Sequence, residues 1–157
     1  MIKTTMPEKK TKSRSRKKKA YVEVAAALIR NENDGRFLIT QRYLDDFMGG
    51  LWEFPGGKRR KNETLRGCLK REVKEEVGIE IEVGARYQSV KYDYPDRSVA
   101  LSFYWARLER GKPKTLGCRA LKWVQPRQLL DYSFPPADAE LILRLSRPET
   151  LFNNREH

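Results

Sequence analysis

Three glutamates near the middle of the chain, in the stretch "REVKEEVGI", are the residues best suited to chemistry. On a helix, Glu72, Glu75 and Glu76 share one face, because neighbours three and four residues apart stack. Carboxylates this close repel one another, and their pKa values rise unless a cation lies among them. Mg²⁺ prefers carboxylates, water and phosphate oxygens, so the spacing indicates a divalent-metal site. Arg71 is placed to neutralise one carboxylate and hold its orientation, with Glu63 as the candidate partner.

The stretch "LWEFPGGK", residues 51–58, precedes these acids. Pro-Gly-Gly marks a sharp turn in any protein, since glycine adopts positive φ without steric cost. Each feature has an ordinary explanation: a surface turn, and a solvated acidic helix face. The opposite side of the same helix, however, carries an apolar face formed by Leu65, Leu69, Val73 and Val77. A packed helix whose acidic side follows a Gly-Gly turn favours an active site over a surface helix.

The turn and the helix together resemble the signature of a known family. The positions that match every fixed position of the Nudix box are Gly57, Glu63, Arg71, Glu72, Val73, Glu75, Glu76, Gly78 and Ile79. The stretches "ITQR", "YDYPDRSVALSFYW" and "FPPADAELI" resemble the MutT-like branch, the 8-oxo-dGTP diphosphatases. The resemblance extends from about Tyr21 to Arg147. It implies an α/β/α sandwich in which the box helix packs against a mixed β-sheet.

Nudix enzymes hydrolyse a phosphoanhydride that joins a nucleoside to another group. The resemblance implies that Glu72, Glu75 and Glu76 are carboxylate ligands of Mg²⁺, with Mn²⁺ as the alternative ion. It also implies that the backbone carbonyl of Gly56 is a further ligand. Divalent ions neutralise phosphate charge and help to deprotonate water. The three glutamates and Arg71 are the implied catalytic residues.

The general base departs from the family pattern. Members of the MutT-like branch often carry a glutamate or histidine on the loop before a tryptophan strand. Here that stretch reads "GCRALKW", and Gly117 and Cys118 stand where the acid and its neighbour are expected. We therefore assign the base to Glu72, with Glu109 as the alternative if the loop register shifts. Loss of catalysis is a further alternative, against which the intact box argues.

The resemblance also implies a set of substrate-binding residues. Arg42 matches the arginine that contacts substrate phosphates, a task that suits the bidentate guanidinium fork. Lys58 pairs with a box carboxylate or reaches the phosphates, and plain surface charge is the alternative for both cations. Arg97 is a candidate contact to the base or a phosphate. The candidate aromatic walls of the base pocket are Phe54, Tyr94 and Phe134.

A second departure lies at the position that reads the base. The MutT-like branch has an asparagine in its "FPPAN" stretch, whereas this chain has Asp138 in "FPPAD". An ionised aspartate only accepts hydrogen bonds, and guanine offers two adjacent donors, N1–H and N2–H₂, which adenine does not. Such a contact favours guanine without inspecting C8, where the oxidised base differs. The alternative is that Asp138 caps the C-terminal helix, a role that aspartate fills well.

The elements that must position these residues follow from the sequence pattern. Apolar and β-branched runs predict strands over 21–29, 37–42, 51–54, 79–83, 87–92, 99–108 and 121–124. The turn "NENDGR" predicts a β-hairpin between the first two strands. The box helix is predicted over 63–77 with Gly78 as its left-handed C-cap, and proline-opened helices are predicted at "PRQLLDY" and "PADAELILRLS". This order predicts a single mixed α/β domain.

The positive charge is concentrated at the N-terminus. The 157-residue chain has a formal charge of +12, and residues 1–20 hold nine Lys and Arg against one acid. We expect residues 1–20 to form a flexible basic tail, residues 21–147 the Nudix domain and residues 148–157 a C-terminal tail. The basic tail is either a solubilising segment or an arm for phosphate backbones such as RNA. A membrane surface fits less well, because the tail has no apolar face to insert.

The remaining composition predicts a cytoplasmic protein. No apolar run approaches the roughly 18 residues of a spanning helix, and no apolar stretch follows the basic N-terminus as in a secretory signal. Cys68 and Cys118 lie far apart without a C-x-x-C partner, which favours free thiols in a reducing compartment. The sequence leaves the oligomeric state open.

Three functions are compatible with the sequence. The first is Mg²⁺-dependent hydrolysis of a guanine nucleoside triphosphate (dGTP, GTP or 8-oxo-dGTP) to the monophosphate and pyrophosphate. The alternative is removal of pyrophosphate from the 5′-triphosphate end of RNA by the same site, with the basic tail binding RNA. A nucleotide- or RNA-binding module without turnover is the third, and nothing in the box favours it.

Overall fold

The computed structural model describes residues 20–147, so residues 1–19 of the predicted N-terminal tail (1–20) and the whole predicted C-terminal tail (148–157) lie outside the described residues. The strands and α-helices in chain order are β1 (Val22–Ile29), β2 (Phe37–Gln41), β3 (Trp52–Glu53), β4 (Gly56–Lys58), α1 (Leu65–Val77), β5 (Glu80–Tyr94), β6 (Arg97–Arg110), β7 (Ala120–Val124) and α2 (Ala139–Leu145). Two 3₁₀ segments, Pro126–Asp131 and Pro136–Asp138, precede α2. In this part of the chain, no helix is long and apolar enough to cross a membrane.

The strands form two sheets. The larger sheet has the order β4-β1-β6-β5, in which β1 runs parallel to β6 and the other pairs are antiparallel. The smaller sheet has the order β3-β2-β7 and is antiparallel. The larger sheet is therefore mixed, as predicted.

Strand β1 lies between two hydrophobic cores. Ala25, Ala27 and Ile29 pack in the core that contains the buried face of α1. The alternate residues Ala26 and Leu28 pack in the core that contains α2. Side chains alternate between the faces of a strand, so one strand supplies both cores. Helices therefore cover the sheet from two sides, and the predicted α/β/α sandwich is confirmed.

The turn after β1 forms as predicted, but the predicted β-hairpin is wrong. Gly35 has a φ of 75°, and its N–H donates to the Asn31 carbonyl at 2.8 Å. Within residues 20–147, a single bridge between Arg30 and Phe37 joins the two strands before they enter different sheets. The cause is burial: β2 supplies side chains to both cores, so it pairs with β3 and β7 instead of continuing beside β1.

Other predicted elements differ in extent or type. The strands predicted over 79–83 and 87–92 are one strand, β5, whose pairing with β6 continues through irregular register near residues 83–88. The stretch "PRQLLDY" forms a 3₁₀ segment instead of an α-helix, and "PADAELILRLS" begins with a second one before α2. Proline is compatible with a first helical turn, but short runs such as these often stay in the tighter 3₁₀ form.

Candidate active site

The box helix α1 begins and ends where its sequence requires. The Thr64 hydroxyl accepts a hydrogen bond from the N–H of Gly67 at 3.0 Å, which caps the N-terminus. Gly78 ends the helix with a φ of 72°, and its N–H donates to the Lys74 carbonyl at 2.9 Å. The buried side of the helix is formed by Cys68, Leu69, Val73 and Val77. The glutamates of the box consequently lie off the buried face: Glu75 is exposed, whereas Glu72 and Glu76 are partly buried.

The Gly-Gly turn brings β4 into close contact with both β1 and α1. A β-carbon on Gly56 would overlap the carbonyl oxygen of Ala25 on the paired strand. A β-carbon on Gly57 would overlap the carboxylate of Glu72. Glycine is required at both positions because of this close approach. The turn therefore lies directly against the first of the three glutamates, which supports the prediction of an active-site entrance.

Arg71 binds three acids at once. Its Nε and Nη2 atoms donate to the two carboxylate oxygens of Glu63 at 3.0 and 2.6 Å, which confirms the predicted pair. Its Nη1 atom donates to Glu72 at 2.8 Å and to Glu75 at 3.2 Å. The hydrogen bond from Arg71 is the main reason that the pKa of Glu63 falls to about 2. Arg71 thus orients the box carboxylates and is a positioning residue.

Glu76 has a different environment from the other box glutamates. Its carboxylate accepts a hydrogen bond from the Thr40 hydroxyl at 3.1 Å. Burial, and after it the charge of Glu53, raises the pKa of Glu76 to about 8. Among residues 20–147, no lysine or arginine forms an ion pair with it. The Glu76 carboxylate is therefore the acid that a bound cation would stabilise most.

The donor set fits a divalent cation, although the glutamates do not converge on one point. Among the residues that the structure describes, no three metal-ligating side chains form a cluster, and Arg71 holds both Glu72 and Glu75. Beyond burial, the charge of Glu72 raises the pKa of both Glu53 and Glu76, so this region has excess negative charge. Carboxylate oxygens of this kind suit a hard cation such as Mg²⁺.

A cavity of about 280 Å³ adjoins the box. It lies between β1 and β4, the turn that joins β5 to β6, the loop over 43–50 and the segment over 135–138. The predicted substrate-binding residues that line it are Arg42, Phe54, Lys58, Tyr94, Arg97 and Asp138. The remaining one, Phe134, lies behind the wall and packs against Phe54, with ring centroids 5.5 Å apart. The cavity is close in size to the smallest ligand pockets, roughly 300 Å³.

The three predicted cations of the cavity are held in different ways. Arg42 donates through Nε to the Phe47 carbonyl at 2.7 Å and through Nη1 to Glu53 at 3.1 Å. The guanidinium of Arg97 lies 3.9 Å above the centre of the Phe47 ring. Lys58 forms no ion pair with a box carboxylate in the described part of the chain. Lys58 is exposed, so contact with substrate phosphates and plain surface charge are the two alternatives that remain.

Glu53 is a candidate site residue that sequence reasoning missed. It lies on β3, lines the cavity and accepts both hydrogen bonds from Arg42, at 3.1 and 3.3 Å. Burial raises the pKa of Glu53 despite this arginine. Its charge is, after burial, the next cause of the raised pKa values of Glu76 and Asp138. The signal in the sequence that could have identified it is an acid between Trp52 and Phe54, just before the Pro-Gly-Gly turn.

Asp138 lies in the cavity wall and does not cap α2. The residue is 4% exposed, and its side chain makes no capping hydrogen bond, so the capping alternative is wrong. Burial, followed by the charge of Glu53, raises the pKa of Asp138 to about 7. The neighbouring Tyr94 hydroxyl accepts a hydrogen bond from the Ala137 N–H at 3.3 Å, which ties this segment to the cavity wall. The position predicted to read the base thus presents a carboxyl group to the cavity.

The loop in which the MutT-like branch carries an acid is docked on the end of α1. The N–H groups of Leu116 and Gly117 donate to the Glu76 carbonyl at 3.1 and 2.9 Å. Glu109, the alternative base, belongs to β6, is exposed and does not line the cavity. That alternative is therefore wrong, because its side chain lies outside the site. The assignment of the base to Glu72 stays a prediction.

Comparisons with known proteins agree with this geometry. The family model of the NUDIX domain matches residues 25–144. The chain is 37% identical over 132 residues to the CTP pyrophosphohydrolase of Escherichia coli K12, covering 81% of this chain and 96% of the relative. It is 35% identical over 126 residues to the 8-oxo-dGTP diphosphatase of the same organism, covering 80% of this chain and 97% of that relative.

A solved structure shows the same architecture. The MutT protein from Methanosarcina mazei Go1 matches with a TM-score of 0.74 and 27% sequence identity, covering 85% of this chain and 98% of that protein. The matched family domain contains the Gly-Gly turn, the box helix and most of the cavity wall. This protein therefore belongs to the Nudix family and is a Nudix hydrolase.

Proposed function

We propose that this Nudix hydrolase cleaves guanine nucleoside 5′-triphosphates to the monophosphate and pyrophosphate, with Mg²⁺ or Mn²⁺ as cofactor. One observation carries the proposal: the cavity that contains the buried Asp138 also contains Gly57, which touches Glu72 of the box. A nucleoside triphosphate whose base is held at Asp138 would extend its phosphates toward the glutamates of the box. The two relatives from E. coli are named for CTP and for 8-oxo-dGTP, so a nucleoside triphosphate is common to both names and the base is inferred from the site.

The cofactor would be held by the carboxylates of Glu72, Glu75 and Glu76 and by the Gly56 carbonyl. When bound, Mg²⁺ neutralises phosphate charge and lowers the pKa of water. Arg71 supports this arrangement, since its hydrogen bonds keep Glu72 and Glu75 oriented. Glu76 gains most from the positive charge, because burial has raised its pKa to about 8.

The protein groups have separate roles in the hydrolysis. A water oxygen forms a bond to one phosphorus of the α–β phosphoanhydride and the P–O bond opposite it breaks; the phosphate on the far side of that bond leaves with the electron pair, which gives the monophosphate and pyrophosphate. Glu72 accepts the proton of the attacking water. Arg42 and Lys58 contact the phosphates and stabilise the charge that develops on the leaving group. Asp138, as the carboxylate, accepts hydrogen bonds from N1–H and N2–H₂ of guanine.

A competition assay tests the proposal. The substrates are dGTP, GTP, 8-oxo-dGTP, dCTP and a short 5′-triphosphate RNA that begins with G, compared by kcat/KM at pH 8 with Mg²⁺. We expect the guanine nucleotides to exceed dCTP, and 8-oxo-dGTP to lie within about tenfold of dGTP, because Asp138 does not inspect C8. A preference of about a hundredfold for 8-oxo-dGTP, about 2.7 kcal/mol, would contradict this view of Asp138.

A pair of variants checks that the activity comes from this site. Glu76→Gln should lose activity by about a hundredfold or more, since it removes a carboxylate ligand. Glu80→Gln is the matched control: Glu80 lies just beyond α1, pairs with Lys74 at 3.6 Å and lies outside the cavity. Failure to hydrolyse any of the five substrates would contradict the proposed function.

RNA 5′-end processing is the second candidate function. It is supported by the charge of residues 1–20, nine Lys and Arg against one acid, which suits a phosphate backbone. Deleting residues 1–19 separates the two candidates. Loss of RNA turnover with free-nucleotide turnover retained would favour RNA, whereas equal retention of both activities would count against it.

We also infer a cytoplasmic location. Cys68 and Cys118 are free and buried, and burial raises the pKa of each thiol to about 11. Thiols of this kind are poor nucleophiles, and free buried cysteines are typical of a reducing compartment.

A further inference from the structure

The carboxyl group of Asp138 is buried beside the cavity without a partner in the described protein. Only 4% of the residue is exposed, and it lines the cavity. Within residues 20–147, its side chain makes no hydrogen bond and no ion pair, and it does not cap α2. No fully buried side-chain nitrogen or oxygen in this part of the chain lacks a hydrogen-bond partner, so the carboxyl oxygens of Asp138 must be reachable from the cavity that the residue lines. The group is therefore suited to a ligand that enters the cavity.

The charged and titratable groups around Asp138 do not fix it as a carboxylate. Glu53 faces it from β3 and opposes its ionisation. Tyr94 faces it from β5; its hydroxyl accepts a hydrogen bond from the Ala137 N–H at 3.3 Å, and within residues 20–147 it donates no hydrogen bond to Asp138. The cavity arginines have other partners, since Arg42 donates to Glu53 at 3.1 Å and Arg97 stacks on an aromatic ring at 3.9 Å.

The last cation of the cavity, Lys58 on β4, is exposed and forms no ion pair with Asp138 in the described part of the chain. Burial and the charge of Glu53 both oppose ionisation, so the pKa of Asp138 rises to about 7. Both protonation states are consequently populated close to neutral pH.

We propose that Asp138 selects the nucleobase through its own ionisation: the carboxylate is strict for guanine, and the protonated acid also accepts cytosine. This inference rests on the proposed triphosphate hydrolysis and deepens it. The two carboxylate oxygens match the adjacent donors N1–H and N2–H₂ of guanine. The carboxylic acid offers one donor beside one acceptor, which match N3 and N4–H₂ of cytosine. Against the carboxylate, cytosine N3 would meet an oxygen lone pair, which leaves two acceptors unpaired.

Calorimetric titration of the full chain with dGMP and dCMP tests this inference without requiring turnover. The ratio of the two Kd values cancels the contribution of the shared phosphate. Between pH 6 and pH 8.5, we expect the wild-type protein to lose affinity for dCMP relative to dGMP by about tenfold or more. Near pH 7, where about half of the molecules are protonated, buffers of different ionisation enthalpy should show that dCMP takes up about half a proton more than dGMP.

Two substitutions complete the experiment. Asp138→Asn presents a donor and an acceptor at every pH, so its affinity ratio should stay constant over this range. Asp131→Asn is the matched control, because Asp131 is an exposed aspartate of the preceding 3₁₀ segment, and it should keep the wild-type pH dependence. A constant ratio in the wild-type protein, an unchanged pH dependence in Asp138→Asn, or no binding of either nucleotide would overturn the inference.

Turnover assays separate a failure of this inference from a failure of the proposed reaction. If the two monophosphates bind with the expected pH dependence but no triphosphate is hydrolysed, base selection by Asp138 stands and the proposed reaction fails. If dGTP is hydrolysed while the ratio of dCTP to dGTP turnover is the same at pH 6 and pH 8.5, the reaction stands and the inference fails.

Discussion

Among single residues, Arg71 has the largest share in the geometry of the box. Its side chain is only 19% exposed, and its guanidinium contacts Glu63, Glu72 and Glu75 together. The planar fork allows two parallel bonds to Glu63 while a third bond reaches Glu72. A lysine in this place would keep the charge but has a single nitrogen. The arginine is therefore needed for orientation as well as for neutralisation.

Replacing this residue should affect the chemical step more than nucleotide binding. We expect Arg71→Lys to lower kcat by about ten- to a hundredfold, as is common when the group that orients a metal ligand is lost. KM should change little, because Arg71 does not line the cavity. Steady-state kinetics with dGTP measures both parameters. Arg66→Lys, an exposed arginine of the same helix, is the control; a loss in kcat of equal size there, or a comparable rise in KM for Arg71→Lys, would contradict this role.

At the scale of elements, the structure shows which local signals are sufficient. The box helix could be predicted because its signals are local: an apolar stripe, glutamates on the other face and Gly78 at the end. The pairing of β1 and β2 could not, because their partners are decided by burial on both faces. Glu53 was missed for a related reason, since its contact with Arg42 depends on β3 lying beside β2.

The residues of the substrate cavity show the same difference between what local sequence predicts and what only the folded chain determines. Asp138 could be assigned to the site from its motif, but its protonation depends on burial and on the distant residue Glu53, which only the folded chain brings near. Glu109 looked like a loop acid because the extent of β6 was underestimated, and the strand continues to Arg110. Residue types and spacing thus predicted most of the groups that line the cavity, whereas their electrostatic state required the packing.

The contact between β4 and α1 gives a prediction about an element. Gly57→Ala should lower kcat/KM for dGTP by about a hundredfold, because the added β-carbon would displace the Glu72 carboxylate. The reason is position and not backbone strain, since Gly57 does not have a positive φ. Gly67→Ala is the matched control, a glycine of α1 that faces solvent. Wild-type kcat/KM in Gly57→Ala would show that the close approach has no catalytic importance.

Across the whole molecule, acids gather at the cavity of a chain with a net charge of +12. Burial is the main cause of the raised pKa values of Glu53, Glu76 and Asp138. Groups whose ionisation is opposed in the folded state reduce stability once the pH is high enough to ionise them. The site therefore carries an electrostatic cost in the absence of cation and substrate, as functional sites often do.

Asp138 allows this cost to be measured, with a sign fixed by proton linkage. Its pKa is about 7 in the folded protein against an ordinary value of 3.8. Between these values the folded state binds more protons than the unfolded state, so the free energy of unfolding falls as the pH rises from about 4 to about 7. The contribution is fully present below the unfolded-state pKa and is lost as the pH rises through the folded-state pKa.

Asp138→Asn removes this titration and nothing else that is charged. From pH 5 to pH 8, the free energy of unfolding of the wild-type protein should decrease more than that of Asp138→Asn. The difference between the two decreases should be on the order of 2 kcal/mol. Urea unfolding in EDTA at both pH values measures the difference, and EDTA keeps metal binding from masking it. Asp131→Asn, exposed to solvent, should follow the wild-type curve. Parallel curves for wild type and Asp138→Asn would mean that Asp138 ionises in the folded protein at its ordinary pKa, and the electrostatic coupling to Glu53 would then be negligible.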